Sequence, residues 1–138
     1  MKNLIPERKD ADKKYTWRLE DIFETNEKWE EEFAHVKKLM EELPKFVGKL
    51  NNPKAVLECF TLSNEIDLKT DALYTYANMR FHEDSTNSFY QALSDRSEML
   101  VIASMEKSSF ITPELTSLPD DKLKEIMEDK SLALYRHY

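Results

Sequence analysis

The chain contains a single glycine, Gly48, among its 138 residues. Folds rich in β-strands usually need many tight turns, and glycine is the residue that most often makes them. A P-loop or a dinucleotide-binding fingerprint is excluded, because each requires several glycines at fixed spacing. The scarcity of glycine therefore predicts an all-α fold in which long helices are joined by few loops.

Composition limits the classes of partner. Hydrophobic residues make up 41% of the chain and charged residues 34%, which is typical of one globular domain. The formal net charge of −7 argues against nucleic acid or an anionic membrane as a partner, since both attract basic surfaces. The one cysteine, Cys59, fits a reducing compartment, and no segment is apolar enough for a signal peptide or a membrane span. We expect a cytoplasmic protein.

The first long helix is predicted over residues 26–43, because apolar side chains recur there with helical spacing. Thr25 or Asn26 would cap it, since their side-chain oxygens accept hydrogen bonds from free backbone N–H groups. Pro44 and Gly48 would end it. The stripe of predicted core residues comprises Trp29, Phe33, Val36, Met40 and Leu43.

Asn52 and Pro53 predict the start of a second helix, with Asn52 as its cap and Pro53 at its first position. A helix could extend over residues 53–82, but the polar stretch TLSNEIDLKTD leaves open whether this is one helix or two. Its inward residues would be Val56, Leu57, Phe60, Ile66, Leu73 and Tyr76.

The sequence HEDSTN predicts a break, after which Ser85, Thr86 or Asn87 would cap a third helix that ends near residue 111. Pro113 and Pro119 interrupt the chain beyond this helix, and a short helix with an acidic first turn is predicted after Pro119. Core residues of the third helix would be Phe89, Leu93, Leu100 and Phe110. These elements predict an antiparallel bundle of about four long and short helices.

The two ends of the chain have different characters. Residues 1–14 are polar and lysine-rich and predict a flexible arm, which leaves residues 15–138 as the helical domain. Residues 15–23 are interpreted as an extended segment pinned by its aromatic side chains and followed by a helical turn. The terminal SLALYRHY has no capping glycine, proline or polar tail, so we expect a helix cut mid-course and a chain that stops before a further domain.

His82 and Glu83 open the zinc-binding pattern H-E-x-x-H, but Thr86 occupies the position of the second histidine. Catalytic zinc typically takes three protein ligands, so a polar helix end is the better interpretation. Glu32 and His35 have the Glu-x-x-His spacing of helical di-iron proteins, but no second pair exists, which favours a solvated face. We therefore expect no metal ligand and no catalytic residue in this chain.

Other reactive residue types also favour structural interpretations. Asp67 and Asp71 lie one turn apart beside Lys69 and Glu65, which predicts an exposed charged face rather than an acid–base pair. Cys59 has no cationic neighbour in sequence and is predicted to be an inert, partly buried thiol. Aromatic side chains near the second helix junction either pack in the core, which is favoured, or face a peptide or other ligand. They are Tyr74, Tyr76, Phe81, Phe89 and Tyr90.

Several segments resemble the N-terminal region of the oligoendopeptidase F family, which are zinc metallopeptidases similar to thimet oligopeptidase. The segments are YTWRLEDIF, NEKWEEEF, LYTYANMRFHEDSTNSFYQALSDR, PEL and the terminal YRHY, which together run from Tyr15 to Tyr138. The resemblance implies an all-helical N-terminal lobe that helps to wall a deep channel and restrict entry to short peptides. It also implies a whole enzyme whose zinc is held by H-E-x-x-H and a downstream glutamate.

In this family the zinc motif lies far beyond the region that the chain resembles, so no metal ligand or general base is carried onto any residue of this sequence. The implied partners are the remaining catalytic part of the same polypeptide and short peptide substrates, with Tyr74, Tyr76, Phe81 and Tyr90 as channel-facing or packing residues. The 138-residue chain alone should be inactive and could self-associate through uncovered apolar faces. The alternative is a free-standing helical domain that binds a partner protein through an amphipathic groove.

Overall fold

The computed structural model describes residues 8–137, so the predictions for residues 1–7 and for Tyr138 lie outside the described residues. This part of the chain contains five α-helices and no β-strand, which confirms the all-α prediction. None of its helices is both long and apolar enough to cross a lipid bilayer. The helices are α1 (Asn26–Met40), α2 (Pro53–Glu83), α3 (Ser88–Ser108), α4 (Ile111–Thr116) and α5 (Asp120–Glu128).

Helix α1 begins as predicted but ends three residues early. The Thr25 hydroxyl caps it by accepting a hydrogen bond from the Lys28 N–H at 3.2 Å. Pro44 has no N–H to bond the Met40 carbonyl, and its ring crowds that carbonyl, so the α-helix stops and Leu43–Phe46 winds into a 3-10 turn. The predicted stripe is confirmed, because Trp29, Val36, Met40 and Leu43 are buried and Phe33 is partly buried.

Helix α2 is one uninterrupted helix of 31 residues. The sequence left open whether this region forms one helix or two, and the structure shows one. Asn52 caps it as predicted, with its Oδ1 accepting a hydrogen bond from the Ala55 N–H at 3.0 Å. The polar stretch over residues 61–71 does not break the helix, and its inward positions are buried. Ile66 and Thr70 in this stretch are 0% and 3% exposed.

Helix α3 is capped by Asn87, whose Oδ1 accepts a hydrogen bond from the Phe89 N–H at 3.0 Å. It ends at Ser108, three residues before the predicted end. The prediction that Phe89 lies in the core is wrong, since its side chain is 49% exposed. Phe89 sits in the first turn of α3, level with the end of α2, where its aromatic contact is the adjacent ring of Tyr90 at 5.2 Å.

The segment before α1 packs on the helices through different side chains from those that the sequence predicted. Two of its three aromatic side chains do not pin this segment, because Tyr15 and Trp17 are 79% and 76% exposed. Leu19 is buried instead, and Phe23 meets the ring of Tyr76 edge-on at 5.5 Å. Short 3-10 turns occur at Arg8–Asp10, Lys13–Tyr15 and Leu19–Asp21.

Helices α2 and α3 form an antiparallel hairpin with a polar seam. Asn78 accepts a hydrogen bond from the Ser94 hydroxyl at 3.0 Å, and Asp67 accepts one from the Ser104 hydroxyl at 3.3 Å. These pairs run in opposite directions along the two helices, which defines the antiparallel arrangement. Small side chains on α3 let the two backbones approach closely, and Ser94, Ser97 and Ser104 are all buried.

Helix α1 packs across one side of this hairpin and is tied to α3 by Arg96. The two terminal guanidinium nitrogens of Arg96 contact both carboxylate oxygens of Glu30 at 2.5 and 2.7 Å. The same guanidinium lies 5.1 Å from the ring centre of Trp29 and 4.5 Å from that of Phe33. One arginine therefore closes the α1–α3 contact by a bidentate ion pair and by stacking on two rings.

Helix α5 begins after Pro119 with Asp120 and Asp121 in its first turn, as predicted. The terminal segment after α5 is a 3-10 helix, Lys130–Tyr135. Leu132 within it is buried, and the ring of Tyr135 meets that of Phe60 at 5.5 Å. The end of the described chain thus returns to the first half of α2.

The loop that contains the lone glycine is clamped from α4. Gly48 has a φ of +76°, the left-handed conformation that glycine adopts without a side-chain clash. One carboxylate oxygen of Glu114 accepts the Gly48 N–H at 2.9 Å, and the other accepts the Leu50 N–H at 3.0 Å. Glu114 follows Pro113, which lies in the first turn of α4, where its missing N–H costs no hydrogen bond within the helix.

Replacing Glu114 with alanine should lower the free energy of unfolding by about 1–3 kcal/mol, because two backbone N–H groups lose a charged acceptor. Amide hydrogen exchange at Gly48 and Leu50 should accelerate selectively. Thr112→Ala, an exposed neighbour on the same short helix, is the control and should leave both amides unchanged. Unchanged exchange in Glu114→Ala would show that the clamp does not hold the loop.

Candidate functional site

The most concentrated set of polar and aromatic contacts lies where α1 begins, α2 ends and α3 begins. We call this set, formed by Phe23, Asn26, Tyr76, Arg80 and Tyr90, the aromatic–polar junction. The Tyr76 hydroxyl donates a hydrogen bond to Asn26 Oδ1 at 2.9 Å, and Asn26 Nδ2 donates to the Tyr90 hydroxyl at 3.4 Å. One asparagine at the start of α1 therefore joins the other two long helices.

The structure brings together two of the four predicted site residues. Tyr76 is 2% exposed and Tyr90 is half-buried, and both contact Asn26. Tyr74 is 38% exposed and does not join the junction. Phe81 is half-buried and its ring lies 5.5 Å from that of His82. Whether any of the four faces a substrate channel stays a prediction.

Arg80 extends the junction into an ion network that holds the segment before α1. Its guanidinium contacts Glu20 at 2.8 Å and Glu83 at 3.3 Å, and it lies 5.3 Å from the Tyr76 ring centre. Glu83 also meets Arg8 at 2.7 Å, and Arg8 donates a hydrogen bond to the Trp17 carbonyl at 2.9 Å. The network therefore fastens the start of the described chain to the last turn of α2.

Burial and pairing act in opposite directions on the charges of the junction. Burial alone would lower the pKa of Arg80, but its bonds with Glu20 and Tyr76 raise the pKa above the ordinary value. The pKa of Tyr76 is raised, mainly because burial disfavours the phenolate. The hydrogen bond from Arg80 lowers the pKa of Glu20. At neutral pH these groups are a charged pair and a neutral phenol, which stabilise the junction and carry no reactive base.

Neither motif that suggested metal chemistry assembles a metal site. His82 and Glu83 form the last turn of α2, and Glu83 is engaged by two arginines. Glu32 is half-buried rather than on a solvated face, because Lys69 of α2 pairs with it, while His35 beside it is exposed. Within residues 8–137 no three histidine, cysteine, aspartate or glutamate side chains come together to hold a metal ion.

The remaining candidate residues lie apart from the junction. Asp67 and Asp71 are exposed as predicted, although the Asp67 carboxylate also accepts the Ser104 hydrogen bond, and desolvation at this contact raises its pKa. Cys59 is fully rather than partly buried. Desolvation, with a smaller contribution from the charge of Glu114, raises its pKa to about 11 and keeps the thiol protonated.

Carboxylates in the contacts between helices make folding sensitive to acid. The hydrogen bond from Arg96 is the main cause that lowers the pKa of Glu30. For Glu32, burial alone would raise the pKa, but Lys69 outweighs burial and the pKa is lowered. Because their folded pKa values lie below the ordinary value of 4.5, these groups contribute stability that is complete above pH 4.5 and is lost as pH falls through the folded values.

Urea unfolding at a series of pH values should therefore show a falling free energy of unfolding below about pH 4.5. Glu30→Gln should make this acid limb shallower, since one of the titrating groups is gone. Glu58→Gln is the control, because Glu58 lies 3.9 Å from Lys54 in a pair that is 85% and 56% exposed, and it should leave the limb unchanged. An equally steep limb in Glu30→Gln would contradict the assignment.

Comparison with known proteins relates the chain to peptidases. No family model matches the sequence. Oligopeptidase PepF of Bacillus subtilis is 39% identical over 137 residues, which are 98% of this chain and 20% of that protein. Group B oligopeptidase PepB of Streptococcus agalactiae is 27% identical over 133 residues, which are 95% of this chain and 22% of that protein. The chromosomal oligoendopeptidase F of Lactococcus lactis subsp. cremoris is 31% identical over 115 residues, which are 80% of this chain and 19% of that protein.

A solved structure shares the fold. The crystal structure of a peptidase candidate from Chlamydophila abortus matches 96% of this chain with a TM-score of 0.83 and 21% sequence identity. The match occupies 23% of that chain. The present chain thus spans about a fifth of the length of the relatives that it matches.

Proposed function

Because the chain corresponds to an N-terminal region of the oligoendopeptidase F family, we propose that it is the N-terminal lobe of a longer peptidase that hydrolyses short peptides. The observation that carries this proposal is the 39% identity with PepF over 98% of the chain. In the proposal residues 15–138 form one helical domain of the longer enzyme, and the lobe itself contributes structure rather than a reactive centre.

Zinc in the whole enzyme is part of the proposal, but residues 8–137 do not fit a zinc site. A zinc site needs several ligands in one place, but His35 lies on α1 and His82 on α2. The carboxylates beside these histidines are already paired, Glu32 with Lys69 and Glu83 with Arg8 and Arg80. The metal ligands and the group that activates water would therefore belong to another part of the longer polypeptide. No step of peptide hydrolysis is assigned to a residue of this chain.

The proposed contribution of the lobe is to wall the substrate channel and exclude large substrates. A wall must keep its shape while peptides pass, and side-chain contacts hold the three long helices of this lobe together. Asn26 links α1 to both other long helices, and Arg96 adds a bidentate ion pair. Such preorganisation supports a role in restricting access, with Tyr74, which is 38% exposed, as a candidate channel-facing aromatic residue.

The test compares the longer protein with a loosened variant. Reading the gene past codon 138 should reveal a continuous coding sequence with H-E-x-x-H, whereas a stop codon there favours the free-standing interaction domain. The purified longer protein should cleave short peptides in a metal-dependent manner and spare a denatured protein. Arg96→Met, which opens the α1–α3 contact, should raise cleavage of longer peptides relative to shorter ones, while the control Arg18→Met should not. An unchanged preference in Arg96→Met would contradict the walling role.

A further inference from the structure

Helix α3 carries an apolar surface that nothing in the described part of the chain covers. Met99, Ile102 and Met105 recur every third residue and therefore share one side of the helix. Their exposed fractions are 70%, 65% and 68%. We call these three residues the outer α3 face. Large exposed side chains that are grouped in this way usually mark an interaction surface, whereas scattered ones need no explanation.

The contacts of α3 with its neighbours leave this face open. Arg96 reaches α1 through Glu30, and the Ser94 and Ser104 hydroxyls reach α2. Leu93 and Leu100 are buried on the same inward side. Since both neighbouring helices are engaged by the inward residues, the outer α3 face points away from the hydrophobic core.

We propose that the outer α3 face is a docking surface for the remaining part of the same polypeptide, an inference that rests on the proposed function. The length of the relatives supports this occupant, because this chain accounts for 20% of PepF and 23% of the Chlamydophila abortus chain. The shared fold, with a TM-score of 0.83, occurs there as one unit of a much longer chain. A unit built into such a chain has surface covered by the rest of it, and an apolar face gains most from being covered.

Charge specifies the chemistry of the occupant and disfavours a second copy. Asp95, Glu98 and Glu106 are exposed on α3, and their helical spacing places them on the same side of the helix as the outer α3 face, between its members. Two copies docked through this face would bring the acidic residues together, in a chain whose net charge is already −7. The complementary surface is therefore an apolar patch interspersed with lysine or arginine side chains.

Methionine oxidation tests the docking surface directly. Dilute hydrogen peroxide transfers one oxygen atom to an exposed thioether and releases water, and the rates are measured by peptide mass spectrometry against a free methionine peptide in the same tube. In the 138-residue chain Met99 and Met105 should react about as fast as Met127, which is 60% exposed on α5, while Met40 at 3% exposure stays protected. In the full-length protein Met99 and Met105 should react at least about tenfold more slowly than in the 138-residue chain.

Two results would overturn the inference. Met99 and Met105 that react equally fast in both proteins would show that the rest of the polypeptide does not cover the face. Slow reaction in the 138-residue chain, with a rate that falls as protein concentration rises, would show that a second copy covers it.

A charge substitution gives an independent readout. Ile102→Glu should lower the melting temperature of the full-length protein and leave that of the 138-residue chain unchanged. The control Val47→Glu, at a position 53% exposed in a loop, should have the same small effect on both proteins. If the full-length protein cleaves peptides but its Met99 and Met105 are not protected from oxidation, the docking surface is wrong and the proposed function stands. If the two methionines are protected but the full-length protein cleaves no peptide, the proposed function is wrong and the docking surface stands.

Discussion

Replacing Trp29 with alanine should lower the free energy of unfolding by about 3–5 kcal/mol, because it removes the largest fully buried side chain of the core. Trp29 is 0% exposed and lies near the start of α1, against α2. Its indole N–H donates a hydrogen bond to the Leu73 carbonyl at 2.9 Å, and its ring stacks on Phe33 at 5.0 Å. Alanine would leave a cavity and also remove the surface on which the Arg96 guanidinium lies.

The second tryptophan of the chain supplies the matched control. Trp17 is 76% exposed, so Trp17→Ala should change the free energy of unfolding by less than about 0.5 kcal/mol. Trp29→Phe keeps most of the packing and loses the hydrogen bond, so its loss in the free energy of unfolding should lie between those of Trp29→Ala and Trp17→Ala. Urea unfolding followed by circular dichroism measures all three variants. Similar values for Trp29→Ala and Trp17→Ala would show that the α1 stripe does not form the core.

Arg80→Met should lower the free energy of unfolding by about 2–4 kcal/mol, because it breaks an ion pair that is largely withdrawn from water. The Arg80 side chain is 16% exposed, and Glu83, which it contacts, is 18% exposed. Glu20 is 52% exposed, so screening by water places the loss below that of a fully buried pair. The segment before α1 should detach first, since Glu20 and Arg8 are its links to this network.

Limited proteolysis distinguishes local detachment from a general loss of stability. Cleavage near Lys13 should accelerate in Arg80→Met before the helices become susceptible. Arg18→Met is the control, because Arg18 forms a comparable 3.0 Å pair with Asp21 at 79% and 62% exposure. Equal cleavage rates in the two variants would show that Arg80 does not fasten the segment.

Local signals in the sequence predicted where α1, α2, α3 and α5 begin. They missed α4, because Pro113 was predicted to interrupt the chain and instead lies in the first turn of that helix. Thr25, Asn52 and Asn87 each cap a helix through a side-chain oxygen, as the composition of these positions predicts. Helix ends were less accurate, because α1 and α3 both stop three residues early and pass into tight turns. The resemblance to oligoendopeptidase F, which depended on longer segments, was confirmed by the relatives.

The spacing of residue types along the sequence could not predict contacts between residues that are far apart in the chain. Asn26 meets partners 50 and 64 positions away, and Arg80 meets Glu20 60 positions away. Nothing local to these residues distinguishes them from other surface polar residues, because their roles arise only when the helices pack. The same limit explains Tyr15 and Trp17, whose aromatic character predicted burial although no other element of the described chain covers them.

We propose above that this chain is a structural lobe and that the reactive centre of the peptidase lies elsewhere in a longer polypeptide. Parallel assays of zinc content and short-peptide cleavage on the 138-residue chain and on the full-length protein test it most directly. The account predicts stoichiometric zinc and metal-dependent cleavage for the full-length protein, and neither for the 138-residue chain. Metal-dependent turnover by the purified 138-residue chain, abolished by His82→Ala, would contradict it.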